Sequence, residues 1–163
     1  KVGMTLAERL SQEEHDVTVI DTNAEKVQKA VSEVLPGGGE EVYCFVDGTG
    51  LVTNVYASDL GYAVQVAPIG FDNAITMMVG VDRDGNILGI SIISHTETAG
   101  LGAVAATKNA AGEAFRGQFV GLSGDLSVTK DGGEIDAITG ATITSRAICE
   151  GINAAVACAK QNG

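Results

Sequence analysis

Three threonines and a serine fall within seven residues near the C-terminus, in the stretch DAITGATITSRAICEGIN: Thr139, Thr142, Thr144 and Ser145. A Ser or Thr hydroxyl caps a helix by accepting from an orphan N–H of its first turn. Beyond Ser145, Ile148, Ile152, Ala155, Val156 and Ala159 recur with helical period. Thr144 or Ser145 is therefore expected to cap a C-terminal helix. One hydroxyl suffices for that task. Thr139 and Thr142 are left over, flanking the small Gly140 and Ala141. Small residues at that point suit a backbone that something large approaches closely.

Other reactive side chains are sparse. Cys44, Cys149 and Cys158 form no C-x-x-C pair, so metal-ligand spacing is missing and buried apolar roles are expected. His15 and His95 stand far apart, and His95 has no cluster of partners. Asp82, Asp84 and Asn86 have a calcium-loop rhythm but lack the rest of the frame, so a tight hairpin explains them better. Adjacent Met77 and Met78 on a strand face opposite sides and need only packing roles. A second glycine-bearing loop, HTETAGLG, spans residues 95–102.

The elements that must position these loops follow from pattern and composition. The chain has 163 residues, 45% of them apolar, which is enough for one domain with a proper core. Net charge is −11, which disfavours nucleic acid and anionic membrane surfaces. Residues 23–35 read as a helix capped by Asn23, with Val27, Ala30, Val31 and Val34 as its apolar stripe. Strands are expected in VYCFV, LVTNVYA and LGYAVQVAP, with Asp47–Gly48 as a hairpin signal. A second hairpin joins AITMMVGVD to NILGISIIS through Asp84–Gly85. Residues 103–118 are helical in composition but interrupted at Gly112, and short strands are expected again after Phe119. The fold class expected is α+β, a mainly antiparallel twisted sheet flanked by N- and C-terminal helices.

Residues 1–22 read differently. Leu6 and Leu10 share a helix face, and DVTVID reads as a strand ending in Asp21. This weakly resembles a truncated dinucleotide-binding unit of potassium-transport regulatory domains. There Gly3 would be the last glycine of the fingerprint and Asp21 would hold a ribose hydroxyl. The first strand and early glycines are missing, so a leader over 1–22 and a separate domain over 23–163 are expected, with no nucleotide pocket.

Four stretches, EVLPGG, MMVGVDRDGNILGISIISHTETAGLG, FRGQF and DAITGATITSRAICEGIN, together resemble the FMN-binding domain shared by two electron-transfer subunits. One is the G subunit of the Rnf ferredoxin:NAD oxidoreductase, and the other is the C subunit of the sodium-pumping NADH:quinone reductase. The Rnf protein is the closer match, and the resemblance covers roughly residues 24–160. In that family a flavin transferase attaches FMN by a phosphoester to the last Thr of D-x-x-[S/T]-G-A-T. Here the motif is Asp136, Thr139, Gly140, Ala141 and Thr142, so the resemblance implies FMN on Thr142. The position just before a helix N-terminus suits a phosphate, and Thr144 and Ser145 would cap the helix or hydrogen-bond that phosphate. The family's E-T-P-G-L-G loop corresponds to Glu97, Thr98, Ala99, Gly100, Leu101 and Gly102. Ala99 replaces its Pro and removes a fixed φ. Thr98 and backbone N–H groups would then meet the flavin, with Leu101 on a ring face.

The resemblance implies an electron-transfer domain of an Rnf-like ion-translocating complex. It would not be catalytic alone, since the cofactor carries the redox chemistry. Its partners would be membrane subunits of the complex and, during maturation, the transferase. It would lie on the extracytoplasmic face, where full-length family members are anchored by an N-terminal transmembrane helix. Two alternatives are a free extracellular flavoprotein carrier and a cytoplasmic nucleotide-binding regulatory module built around Val2–Asp21.

Overall fold

The computed structural model describes residues 17–42 and 49–162. Its centre is a five-stranded antiparallel meander in the order β1-β2-β3-β4-β5. The strands are β1 (Glu40–Val42), β2 (Val52–Ala57), β3 (Gly61–Val66), β4 (Thr76–Asp82) and β5 (Ile87–Ser94). Helix α1 (Val17–Val34) covers one face, while α3 (Thr142–Asn162) covers the other. Between β5 and α3 lie a 3-10 turn (Gly102–Ala106) and the short helix α2 (Ala110–Gly117). The α+β class is as the sequence indicates.

A sheet covered on both faces explains why β4 reads as an unbroken apolar run rather than an alternation. Met77 packs with Val55, Val64, Val79, Ile148 and Ile152 on the α3 side. Its neighbour Met78 packs with Tyr56, Ala63, Val31 and Leu35 on the α1 side. Cys149 and Cys158 are buried in the α3 core. Burial, aided by the Asp131 charge, pushes the Cys149 thiol up to about 11, so it serves as an apolar side chain. The β4–β5 turn is built by Asp82, whose carboxylate accepts from the N–H groups of Asp84 and Asn86 at 2.9 Å each. These bonds, that from Asn86 foremost, hold the Asp82 carboxyl below its usual range.

Gly80 lets α1 come down onto the sheet. A Cβ there would collide with the Val34 carbonyl and lie 2.8 Å from its carbonyl carbon. The obstacle is backbone and cannot rotate away. Gly80→Ala is therefore expected to destabilise the domain by ~1–3 kcal/mol, as overpacking does, measured by denaturant unfolding. An unchanged midpoint would show that α1 is free to lift.

Four sequence expectations are corrected. Val17–Ile20 and Asp21 lie in α1, not in a strand, so Asp21 ends no strand and Asn23 caps no helix. Extending an existing helix requires no new nucleus, and this outweighs the β-branched preference of Val17, Thr18 and Val19. Gly112 sits inside the first turn of α2. The interruption falls earlier, where Asn109 Oδ1 accepts from the Gly112 N–H at 3.0 Å and caps the helix. After Phe119 no ladder forms among the described residues, only a single bridge between Val128 and Ile135. Asn153 of α3 satisfies that segment instead, pairing with both Leu126 N and Leu126 O. The expected strand VYCFV, apart from Val42 in β1, and the Asp47–Gly48 turn lie outside the described residues, as do Leu6, Leu10 and His15.

Candidate functional site

Three segments converge at the end of the sheet where β3 stops, β4 starts and β5 stops. The first is the β3–β4 connection, a tight turn closed by the bridge between Ile69 and Ala74 and by Gly70 N donating to Asn73 O at 2.9 Å. The second is the loop leaving β5 through His95–Gly102. The third is the start of α3. Together they enclose a cavity of ≈ 280 Å³ lined by Phe71, Glu97, Thr98, Leu101, Gly102 and residues 140–144.

The two glycine-bearing loops singled out in the sequence thus share one cavity. Glu97, Thr98, Leu101 and Gly102 face Gly140, Ala141, Thr142 and Thr144 across it. Asp136, Thr139 and Gly100 line an adjoining cleft instead, with Phe115 and Val104. Gly140 has φ +75°, a left-handed conformation suited to glycine, and a Cβ there would lie 3.1 Å from Leu101 Cδ2. The Asp136 backbone is clamped by Gln118, whose side chain accepts from Asp136 N at 2.7 Å and donates to Asp136 O at 3.1 Å. This gives the FRGQF stretch a physical task that the sequence did not disclose.

The hydroxyls have separate tasks. Ser145 is fully buried, donates to Ala141 O at 2.9 Å and accepts from Ile138 N at 3.0 Å. It staples the Ile138–Ala141 backbone to the helix from inside. Thr144, 2% exposed, donates to a Glu97 carboxylate oxygen. Neither accepts from a first-turn N–H, so the expected capping roles are replaced by these three internal bonds. Thr142 is half-buried, opens α3 and faces the cavity. Glu97 is buried at 8% exposure and accepts from Phe71 N at 3.2 Å through each of its oxygens. Its own N–H donates to His95 Nδ1 at 3.1 Å, which gives His95 a turn-forming task.

Two apolar side chains at the rim went unread in the sequence. Phe71 is 67% and Ile143 52% exposed, and both line the cavity beside the exposed Leu101. The cavity therefore has an apolar rim and a floor of glycine, hydroxyl and helix N-terminus. The first N–H groups of α3 have no acceptor in the helix itself, and the dipole end favours an anion. A phosphate bearing a planar, largely apolar ring system fits that distribution.

Residues 70–157 match the sequence model of the FMN-binding domain, and the chain belongs to that family. Over 149 residues it is 34% identical to the G subunit of the ion-translocating oxidoreductase complex of Methanosarcina acetivorans, covering 82% of this chain and 74% of that one. It is 44% identical over 101 residues to the G subunit of the proton-translocating ferredoxin:NAD(+) oxidoreductase complex of Clostridium ljungdahlii, covering 60% of this chain and 52% of the relative. It is 38% identical over 102 residues to the Na(+)-translocating counterpart of Acetobacterium woodii, covering 60% and 48%. The chain spans about half the length of these two bacterial relatives. Among the described residues no helix is long and apolar enough to cross a membrane.

Proposed function

We propose that this domain carries FMN in phosphoester linkage to Thr142 and relays electrons between membrane subunits of an Rnf-type complex on its extracytoplasmic face. The observation that carries the reading is the shared cavity, with Thr142 at the helix start facing Glu97–Gly102. When bound, FMN supplies the redox chemistry. The protein's own groups bind and orient it. Thr142 Oγ1 gives the ester oxygen, and the N–H groups opening α3 hold phosphate oxygens. Gly140 leaves room beside that phosphate. Phe71, Leu101 and Ile143 offer apolar surface to the ring. Esterification would form one P–O bond to Thr142 Oγ1 and break one P–O bond of the flavin donor, the hydroxyl proton leaving with the displaced group, so that the chain gains the mass of FMN less one water. A flavin transferase is the partner needed for that step. The names of the relatives support the placement in an ion-translocating complex.

The test is co-expression with a flavin transferase. Denatured protein is expected to remain fluorescent, with an intact mass raised by one FMN less water. A colourless product, or flavin released on denaturation, would refute the covalent reading.

A further inference from the structure

We infer that Glu97 is the positioning residue of this site, a buried carboxylate that ties the Phe71 turn to the first turn of α3 and presents its charge to the cavity. Buried carboxylates are ordinarily paired with a cation or densely hydrogen-bonded. Among the described residues no ion pair involves Glu97; the pairs Lys108–Glu33 and Arg146–Asp131 lie elsewhere. Its partners are neutral donors from two other segments, Phe71 N and Thr144 Oγ1. Two glycines make the space it occupies. A Cβ on Gly70 would lie 2.9 Å from Glu97 Cδ, and one on Gly102 would lie 2.8 Å from Glu97 Oε2. One side chain thus fastens the three segments that enclose the cavity.

Two consequences follow. The Phe71 turn meets the loop after β5 through Asn73 Nδ2, which donates to Thr96 Oγ1 at 3.2 Å, and through Glu97, which alone of these takes the Phe71 N–H itself, so Glu97 is the contact that fixes the Phe71 backbone at the rim. A fixed negative charge in the wall also opposes added electron density in the cavity, and so holds the potential of a flavin there low. The second consequence rests on the flavin reading; the first is a property of the protein without cofactor.

The experiment separates them. Amide hydrogen exchange is measured on flavin-free protein, and the midpoint potential on flavin-loaded protein. Glu97→Gln keeps an acceptor of similar shape but removes the charge. It is expected to preserve Phe71 amide protection and to move the potential to a more positive value. Glu97→Ala is expected to speed Phe71 exchange roughly tenfold, the loss of about one hydrogen bond. If Glu97→Ala does not fold, Thr144→Val serves instead: it should speed Phe71 exchange, while Thr144→Ser restores protection. Unchanged Phe71 exchange in these variants, or an unchanged potential in Glu97→Gln, overturns the proposal. Absence of flavin from the wild-type domain would refute the proposed function and leave the exchange measurement to decide the latch.

Discussion

Thr142→Ala is expected to abolish covalent flavin while the domain keeps its fold. Four hydroxyls crowd the loop, and their surroundings differ. Ser145 is fully buried and both of its bonds are internal. Thr144 is spent on Glu97. Thr139 is exposed but lines the adjoining cleft with Asp136 and Gly100. Thr142 alone of the four combines exposure to the cavity with the first helical position. An oxygen there meets an incoming phosphate where the dipole contributes roughly 0.3–1 kcal/mol. That is too little to retain FMN, so without the ester the flavin should wash away. Removing a half-buried hydroxyl with no internal hydrogen bond should alter stability by less than about 1 kcal/mol. Intact mass, in-gel fluorescence and thermal melting measured together check both halves. Thr139→Ala should retain full attachment. Flavin persisting in Thr142→Ala, or mapped by peptide analysis to Thr139, would move the acceptor elsewhere.

What the sequence disclosed depended on how local the cause was. The α3 stripe from Ile148 to Ala159, the strands β2 and β3, the β4–β5 pair and the Asp84–Gly85 turn follow from periodicity and turn chemistry within a few residues. They appear in the structure as read. The resemblance pointed to two loops, and the structure places most of their residues around one cavity. Phe71 was invisible because nothing near it marks a site. It is brought in by Glu97, 26 residues away, through its backbone N–H. Thr144 and Ser145 read as caps because capping is the local use of a hydroxyl. Their actual partners, Glu97 and the Ile138–Ala141 backbone, depend on how the loop folds back. The segment after Phe119 has strand-like composition, but a strand needs a neighbour. Side chains of Gln118 and Asn153 take up its backbone groups before a ladder can form.

The packing of Gly102 leads to the second large effect. Its φ lies outside the left-handed region, so an alanine there is opposed by space and not by backbone strain. Its Cβ would overlap Thr144 Oγ1, sit 2.8 Å from Glu97 Oε2 and lie 3.0 Å from Glu97 Cβ. Both neighbours are buried and cannot swing into solvent. Gly102→Ala must therefore push Thr144 and Glu97 apart, leaving a buried carboxylate short of a donor. Such a loss costs about 1–3 kcal/mol, which lowers Tm by roughly 3–10 °C in a domain of this size. The displaced Glu97 also releases Phe71, so flavin loading should fall with stability. Gly100→Ala is the matched comparison. Gly100 has φ +76°, and a Cβ there would meet nothing within 4 Å, so alanine encounters only a left-handed strain of roughly 1 kcal/mol. Calorimetry and intact mass on the pair decide the matter. A Gly102→Ala protein that melts no lower than Gly100→Ala and loads flavin fully would show that the Thr144–Glu97 contact does not hold the cavity together.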